Sequence, residues 1–295
     1  MASLNQWVAG ARPRTLPAAI APVILGTAAA HLLGRGDLAL AILALLVALS
    51  LQVGVNYAND YSDGIRGTDE ARVGPVRLVG QRLAAPSNVK AAAMLSFAAA
   101  AMAGLALVGL SEAWIMLPLG ALSVLAAWRY TGGDNPYGYR GLGEVYVFVF
   151  FGLMATLGTL YTQADAVSWF GLIGAIGVGA LASAILVANN LRDIPTDIEH
   201  GKRTLAVRLG DARTRALYVA LFAASVVAVL GMAWFEPWAL LGLLAAPLGW
   251  TAMRTVRAGT TGRELIPVLA ATGLYEVAYA VLIALGVVIG VAIAT

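Results

Sequence analysis

Nine apolar stretches alternate with short polar turns along the 295 residues, at about 15–33, 38–58, 90–110, 113–130, 144–162, 168–190, 214–233, 237–253 and 267–294. Helices of ~17 to 25 apolar residues can cross the hydrocarbon core of a bilayer. The pattern therefore predicts an all-α polytopic membrane protein with nine transmembrane helices. Only the connections at 60–89 and 191–213 are long. Short turns force neighbouring helices to run antiparallel. One integral-membrane domain over 1–295 follows, with no soluble domain attached.

Composition sharpens this picture. The chain is 60% hydrophobic and 12% charged, far from the ~25% charged residues of a soluble domain. Of the 19 Lys and Arg, all but Arg35 fall in the N-terminal segment, in the even-numbered connections or at helix edges beside them. The positive-inside rule then puts the N-terminus and the long loops in the cytoplasm and the C-terminus outside. A bacterial plasma membrane is the expected location, and no cleavable signal peptide is expected. With zero Cys, thiolate metal sites and a Cys nucleophile are excluded. The partners expected are lipid and small molecules, not nucleic acid.

Two acidic clusters break the pattern, each closing a long apolar run. The first is Asn56-Tyr-Ala-Asn59-Asp60-Tyr-Ser-Asp63, followed by Asp69; the second is Asn189-Asn190-Leu-Arg-Asp193-Ile-Pro-Thr-Asp197. In each, an Asn precedes an Asp by four residues, and the clusters end the second and sixth helices, which run in the same direction. They suggest a parallel internal repeat. Carboxylates at a membrane boundary are costly and mark function. On a helix, Asn56, Asp60 and Asp63 share one stripe, as do Asn189, Asp193 and Asp197. Pro195 should kink or end the sixth helix, which would leave Asp197 in a loop facing the same cavity. Facing carboxylate stripes repel without cations between them. Magnesium suits oxygen ligands and shares its shell with substrate phosphate.

A metal-bound diphosphate also needs fixed positive charge. Arg77, Lys202 and Arg203 follow the clusters closely and are the candidate donors. Arg66, Arg72 and Arg82 are read as topology-setting cations. Tyrosines at the same helix ends belong mostly to the interface belt; Tyr130 and Tyr139, near the two ends of the 130–141 turn, are the better cavity candidates, since ring faces stabilise cations. Glu144 opens the fifth helix, where a carboxylate complements the helix dipole, so a structural and a catalytic role both stand. Asn190 is a further cavity candidate. Glu276, deep in the last helix, decides nothing alone.

The strings VNYANDYSDGIRGTD, GPVRLVG, YTGGDNPYGYRGLGE and VANNLRDIPTDIEHGKRTLAVRLGD, in this order, together with ARPRTLPAAIAPV near the start, resemble the UbiA superfamily of intramembrane aromatic prenyltransferases. Within it they look like the branch that prenylates 1,4-dihydroxy-2-naphthoate on the way to menaquinone. The resemblance implies nine helices in a ring around a central cavity. It also implies Mg²⁺ at the two Asp motifs, with two ions expected, and an allylic polyprenyl diphosphate whose carbocation is captured by the aromatic ring with loss of carbon dioxide. Carried over by position, Asn56 and Asp60 match the first motif, and Asp193 and Asp197 the second. The superfamily's further Asp would stand at Gly64, so Asp63 or Asp69 must fill that role. Asp60 or Asp63 is the candidate general base.

Other readings remain open on the residues alone. A sibling prenyltransferase would use another acceptor, such as 4-hydroxybenzoate or homogentisate. A secondary transporter fits less well, because both clusters lie at one interface while transport sites usually lie near the midplane. A structural subunit leaves both clusters unexplained.

Overall fold

A computed structural model describes residues 2–67 and 76–294. Among these residues every regular element is helical. The chain opens with a short helix α1 (Leu4–Gly10), started by a reciprocal Ser3–Gln6 capping box. It then bends by 50° into α2 (Pro17–Leu32). Next come α3 (Leu38–Ile65), α4 (Pro86–Ser111) and α5 (Met116–Arg129). The fifth apolar stretch is broken: α6 (Gly143–Val147) passes through a π-helical segment, Phe148–Met154, into α7 (Ala155–Ala164). α8 (Trp169–Glu199), the short α9 (Leu205–Leu209) and α10 (Asp211–Met232) follow. The last two spans are a 3₁₀ segment, Pro237–Ala245, leading into α11 (Ala246–Arg257), and α12 (Ile266–Ala294).

Seven helices among the described residues are long and apolar enough to cross a membrane, or eight if the bent pair around α2 counts as one span. The fourth apolar run forms the 14-residue α5, about 21 Å long and short of a full crossing. The expected nine runs thus appear in order, but length supports seven to eight crossings. Leu95, Met102, Leu110, Val227 and Leu244 lie exposed on the helix surfaces, as lipid-facing side chains do. Several helices run past their apolar stretches. α3 continues through its acidic cluster, and α8 continues through Pro195 to Glu199. Asp197 is therefore helical, a correction to the expected break. The lost Pro195 hydrogen bond does not end the helix here.

α8 is the central element. In its apolar stretch 78% is buried, against 22–39% in the other long helices. It packs on α2, α10, α12 and the π-helical segment. Small residues permit this closeness. A Cβ on Gly152 would lie 2.6 Å from the Cα of Gly179 on α8, so the broken helix touches α8 backbone to backbone. α3 and α4 pack against each other on the other side.

Candidate active site

Between α3, α4, α5, the broken α6–α7 helix and α8 lies a cavity of about 1040 Å³. One end is polar, lined by Arg12, Arg14, Asn56, Asn59, Asp63, Arg77, Tyr139, Asn189, Asn190, Arg192, Asp197 and Lys202. The rest is apolar, with Val23, Val47, Leu51, Leu105 and Met116 among its walls. The two acidic clusters, far apart in sequence, therefore meet at one end of one cavity.

Asp63 is the best-placed carboxylate of the first cluster. It is 2% exposed. It accepts a hydrogen bond from the Tyr139 hydroxyl at 2.6 Å and lies 3.2 Å from the Lys202 ammonium. The same ammonium sits 4.5 Å from the centre of the Tyr139 ring, a cation–π contact. Asn59 accepts from the Thr131 hydroxyl at 2.7 Å, and the Asn56 amide donates to the Ala11 carbonyl at 2.8 Å and the Thr15 hydroxyl at 3.1 Å. Asn56, Asn59 and Asp63 face the cavity together. Asp60 does not line the cavity with them. It is 1% exposed, absent from the cavity wall, and accepts from the amides of Leu78 at 2.7 Å and Val79 at 3.1 Å. At ~100° per residue, helical spacing groups Asp60 with Asn56 and Asp63. The docked amides of Leu78 and Val79, not the helical angle, hold its carboxylate off the wall.

In the second cluster, Asp197 lines the cavity and accepts from Thr204 at 3.3 Å. Asp193 is held in a two-point pair by Arg192, at 2.6 and 2.7 Å, and lies behind the cavity wall. Arg192 also donates to Asn189 at 2.8 Å. Asn190 donates to Glu144 at 2.9 Å, joining α8 to the start of α6.

The expected cations divide. Lys202 and Arg77 are buried on the cavity wall, whereas the Arg203 side chain is exposed and off it. Arg203 instead donates its backbone N–H to the Tyr139 carbonyl at 3.0 Å, because successive residues of this loop point opposite ways. Arg66 donates to the carbonyls of Thr131 and Gly133, tying the end of α3 to the loop after α5. Asp69 and Arg72 lie outside the described residues.

Three cavity arginines were missed by the sequence reading. Arg192 stood inside the second acidic motif, and a cation between carboxylates on a buried helix is a usable signal. Arg12 and Arg14 stood in ARPRT, just before the first apolar run. Arg12 has φ 54° in the left-handed region, a strained backbone of the kind found at functional sites. The aromatic wall was only partly anticipated. Tyr137 stacks on Tyr146 at 3.8 Å between ring centres and meets Tyr130 edge-on at 5.5 Å; Tyr146 stacks in turn on Phe150 at 6.0 Å. Burial, then the neighbouring Tyr130 and Tyr146, push the Tyr137 phenol well above its usual range. It stays neutral, donating to the Ala126 carbonyl at 2.9 Å.

Residues 19–266 match the model of the UbiA prenyltransferase family. The chain belongs to this family. Among curated relatives it is 58% identical to the 1,4-dihydroxy-2-naphthoate octaprenyltransferase of Mycobacterium tuberculosis, over 96% of this chain and 97% of that protein. It is 41% identical to the Escherichia coli protein of the same name, over 82% of each. Its fold is similar to that of a UbiA homologue from Aeropyrum pernix (TM-score 0.68, 18% identity, 92% of this chain and 97% of that one). A UbiA homologue from Archaeoglobus fulgidus, solved with DMAPP and Mg²⁺, gives a TM-score of 0.59 at 14% identity, over 94% of this chain and 99% of that one. The family fold thus surrounds the cavity whose polar end carries both Asp motifs.

Proposed function

We propose that this protein transfers the polyprenyl group of a polyprenyl diphosphate to 1,4-dihydroxy-2-naphthoate, releasing diphosphate and carbon dioxide and giving demethylmenaquinol. The observation that carries the reading is a single cavity that joins carboxylates and cations at one end to an aromatic wall and an apolar interior. The names of the relatives support the acceptor.

The donor set at the polar end fits magnesium. It is all oxygen, with Asp63 and Asp197 as carboxylates, Asn56, Asn59 and Asn189 as neutral donors, and no His on the wall. Among the described residues no three acids cluster into a metal cage, which suits an ion that completes its shell with phosphate and water. Two ions, one per motif, remain the reading of the repeat. Bound magnesium would supply Lewis-acid stabilisation of the departing diphosphate's charge. Arg77 and Lys202 hold the diphosphate, with Lys202 exchanging Asp63 for a phosphate oxygen. Asp193, paired with Arg192, orients that cation and the second motif.

The remaining steps follow from the walls. The allylic C–O bond breaks toward the polar end, and the electron-rich rings of the cavity wall, Tyr130, Tyr137 and Tyr146, stabilise the carbocation. The apolar interior excludes water that would capture the cation and receives the prenyl chain. Arg12 and Arg14 hold the acceptor's carboxylate at the cavity mouth. Asp63 takes the phenolic proton as the naphthoate ring attacks and the C–C bond to the prenyl group forms. The ring–carboxylate bond then breaks, carbon dioxide leaves its electron pair on the ring, and Asp63 returns the proton to the phenolate oxygen to give the quinol. Both motifs face the cytoplasm of a bacterial plasma membrane, where the diphosphate is available.

Purified protein incubated with labelled polyprenyl diphosphate, Mg²⁺ and a panel of aromatic acids tests this reading. The naphthoate should be prenylated with release of carbon dioxide. Turnover of 4-hydroxybenzoate or homogentisate in its place would overturn the acceptor assignment.

A further inference from the structure

We infer that Asp60 is a positioning residue that clamps the loop carrying Arg77, and that it does not bind metal. The inference rests on the prenyl-transfer reading for the role of Arg77 only. Two carboxylate oxygens accept two successive amides, Leu78 N–H at 2.7 Å and Val79 N–H at 3.1 Å. The carboxylate is 1% exposed and off the cavity wall. Arg77, the residue just before these amides, is on the wall.

The turn that Asp60 holds is closed on itself. The Gln81 amide donates to the Arg77 carbonyl at 3.0 Å, and the amides of Leu83 and Ala84 donate to the Leu78 carbonyl at 2.8 and 3.0 Å. Its apolar side chains dock against bare backbone. A Cβ on Gly64, one helical turn beyond Asp60, would lie 2.4 Å from Val79 Cγ1, and one on Gly10 would lie 3.0 Å from Leu78 Cδ1. Anchored from three sides, the backbone at residue 78 fixes where the Arg77 side chain begins. Only a carboxylate fits this job at position 60. An amide has one acceptor oxygen, so Asp60→Asn would face one of the two N–H groups with an NH₂ donor.

The test compares Asp60→Asn and Gly64→Ala with Asp197→Asn. Both clamp variants should raise the KM for the prenyl diphosphate by ~10-fold, with kcat, the KM for the naphthoate and the half-saturating Mg²⁺ changed by less than ~3-fold. Asp60→Asn combined with Arg77→Ala should be no worse than Arg77→Ala alone, because both remove the same contact. If Asp60→Asn lowers kcat and raises the Mg²⁺ requirement as Asp197→Asn does, Asp60 is a ligand and the clamp is overturned. A separate readout does not depend on the reaction. The chain has no Cys, so a spin label on Gln81→Cys, an exposed position of the same turn, reports the loop alone. The label should be more mobile in Asp60→Asn. An unchanged spectrum overturns the clamp, whereas a mobile label in a protein that prenylates no naphthoate upholds the clamp and sinks only the acceptor reading.

Discussion

Asp63 accepts from Tyr139 and faces Lys202, so removing it both strips a carboxylate from the cavity and leaves a buried cation without this partner. Asp63→Ala should cost at least ~100-fold in kcat/KM, about 2.7 kcal/mol of transition-state stabilisation. Asp69→Ala, beyond the end of α3, should cost clearly less, and steady-state kinetics on the two variants checks the order. The neighbouring cations should separate as well. Lys202→Gln should raise the KM for the prenyl diphosphate by ~10-fold, more than that for the naphthoate, because its ammonium lies inside the cavity. Arg203→Gln should stay within ~2-fold of the parent, since its side chain is exposed. A larger effect at Arg203 than at Lys202 would reverse the assignment.

At the scale of helices, glycine contacts decide how closely the cavity walls approach. The π-helical segment brings Gly152 against Gly179 of α8; such segments occur often at functional sites. Gly152→Val adds branched carbon atoms where backbone already fills the space. Overpacking of this kind costs ~1 to 3 kcal/mol, so the variant should melt at a lower temperature in detergent and lose turnover. Unchanged melting would mean that the two helices do not pack as described. The boundaries of α3 and α8 show a related effect. Both continue as helix beyond the apolar run because their polar ends face the cavity and each other, where lipid would not tolerate them.

Over the whole molecule, bound magnesium and topology are the testable properties. Treatment with EDTA should abolish prenyl transfer, and Mg²⁺ should restore it without refolding, because the helices pack through apolar contacts. Lasting loss after Mg²⁺ is returned would point to a structural ion. Single cysteines at Gln81 and Trp234, both exposed, should react with a membrane-impermeant reagent from opposite sides of sealed vesicles. Labelling of both from one side would break the proposed orientation.

The helical class, the order of the apolar runs and the oxygen-rich chemistry at two helix ends are all legible in the chain's amino-acid sequence. These follow from local hydropathy, charge placement and short motif strings, which do not depend on distant contacts. The sequence also carried the family. Which acids face the cavity depends on contacts between elements distant in the chain. Asp60 and Asp63 both lie within helical reach of Asn56, and the docking of the 77–84 turn against α3 engages the buried Asp60 away from the cavity and leaves Asp63 to Tyr139 and Lys202. The same holds for Arg12, brought to the cavity by the bend before α2. A 3.6-residue period fixes a side chain's angle around its own helix. It does not say what the neighbouring loop or helix puts there.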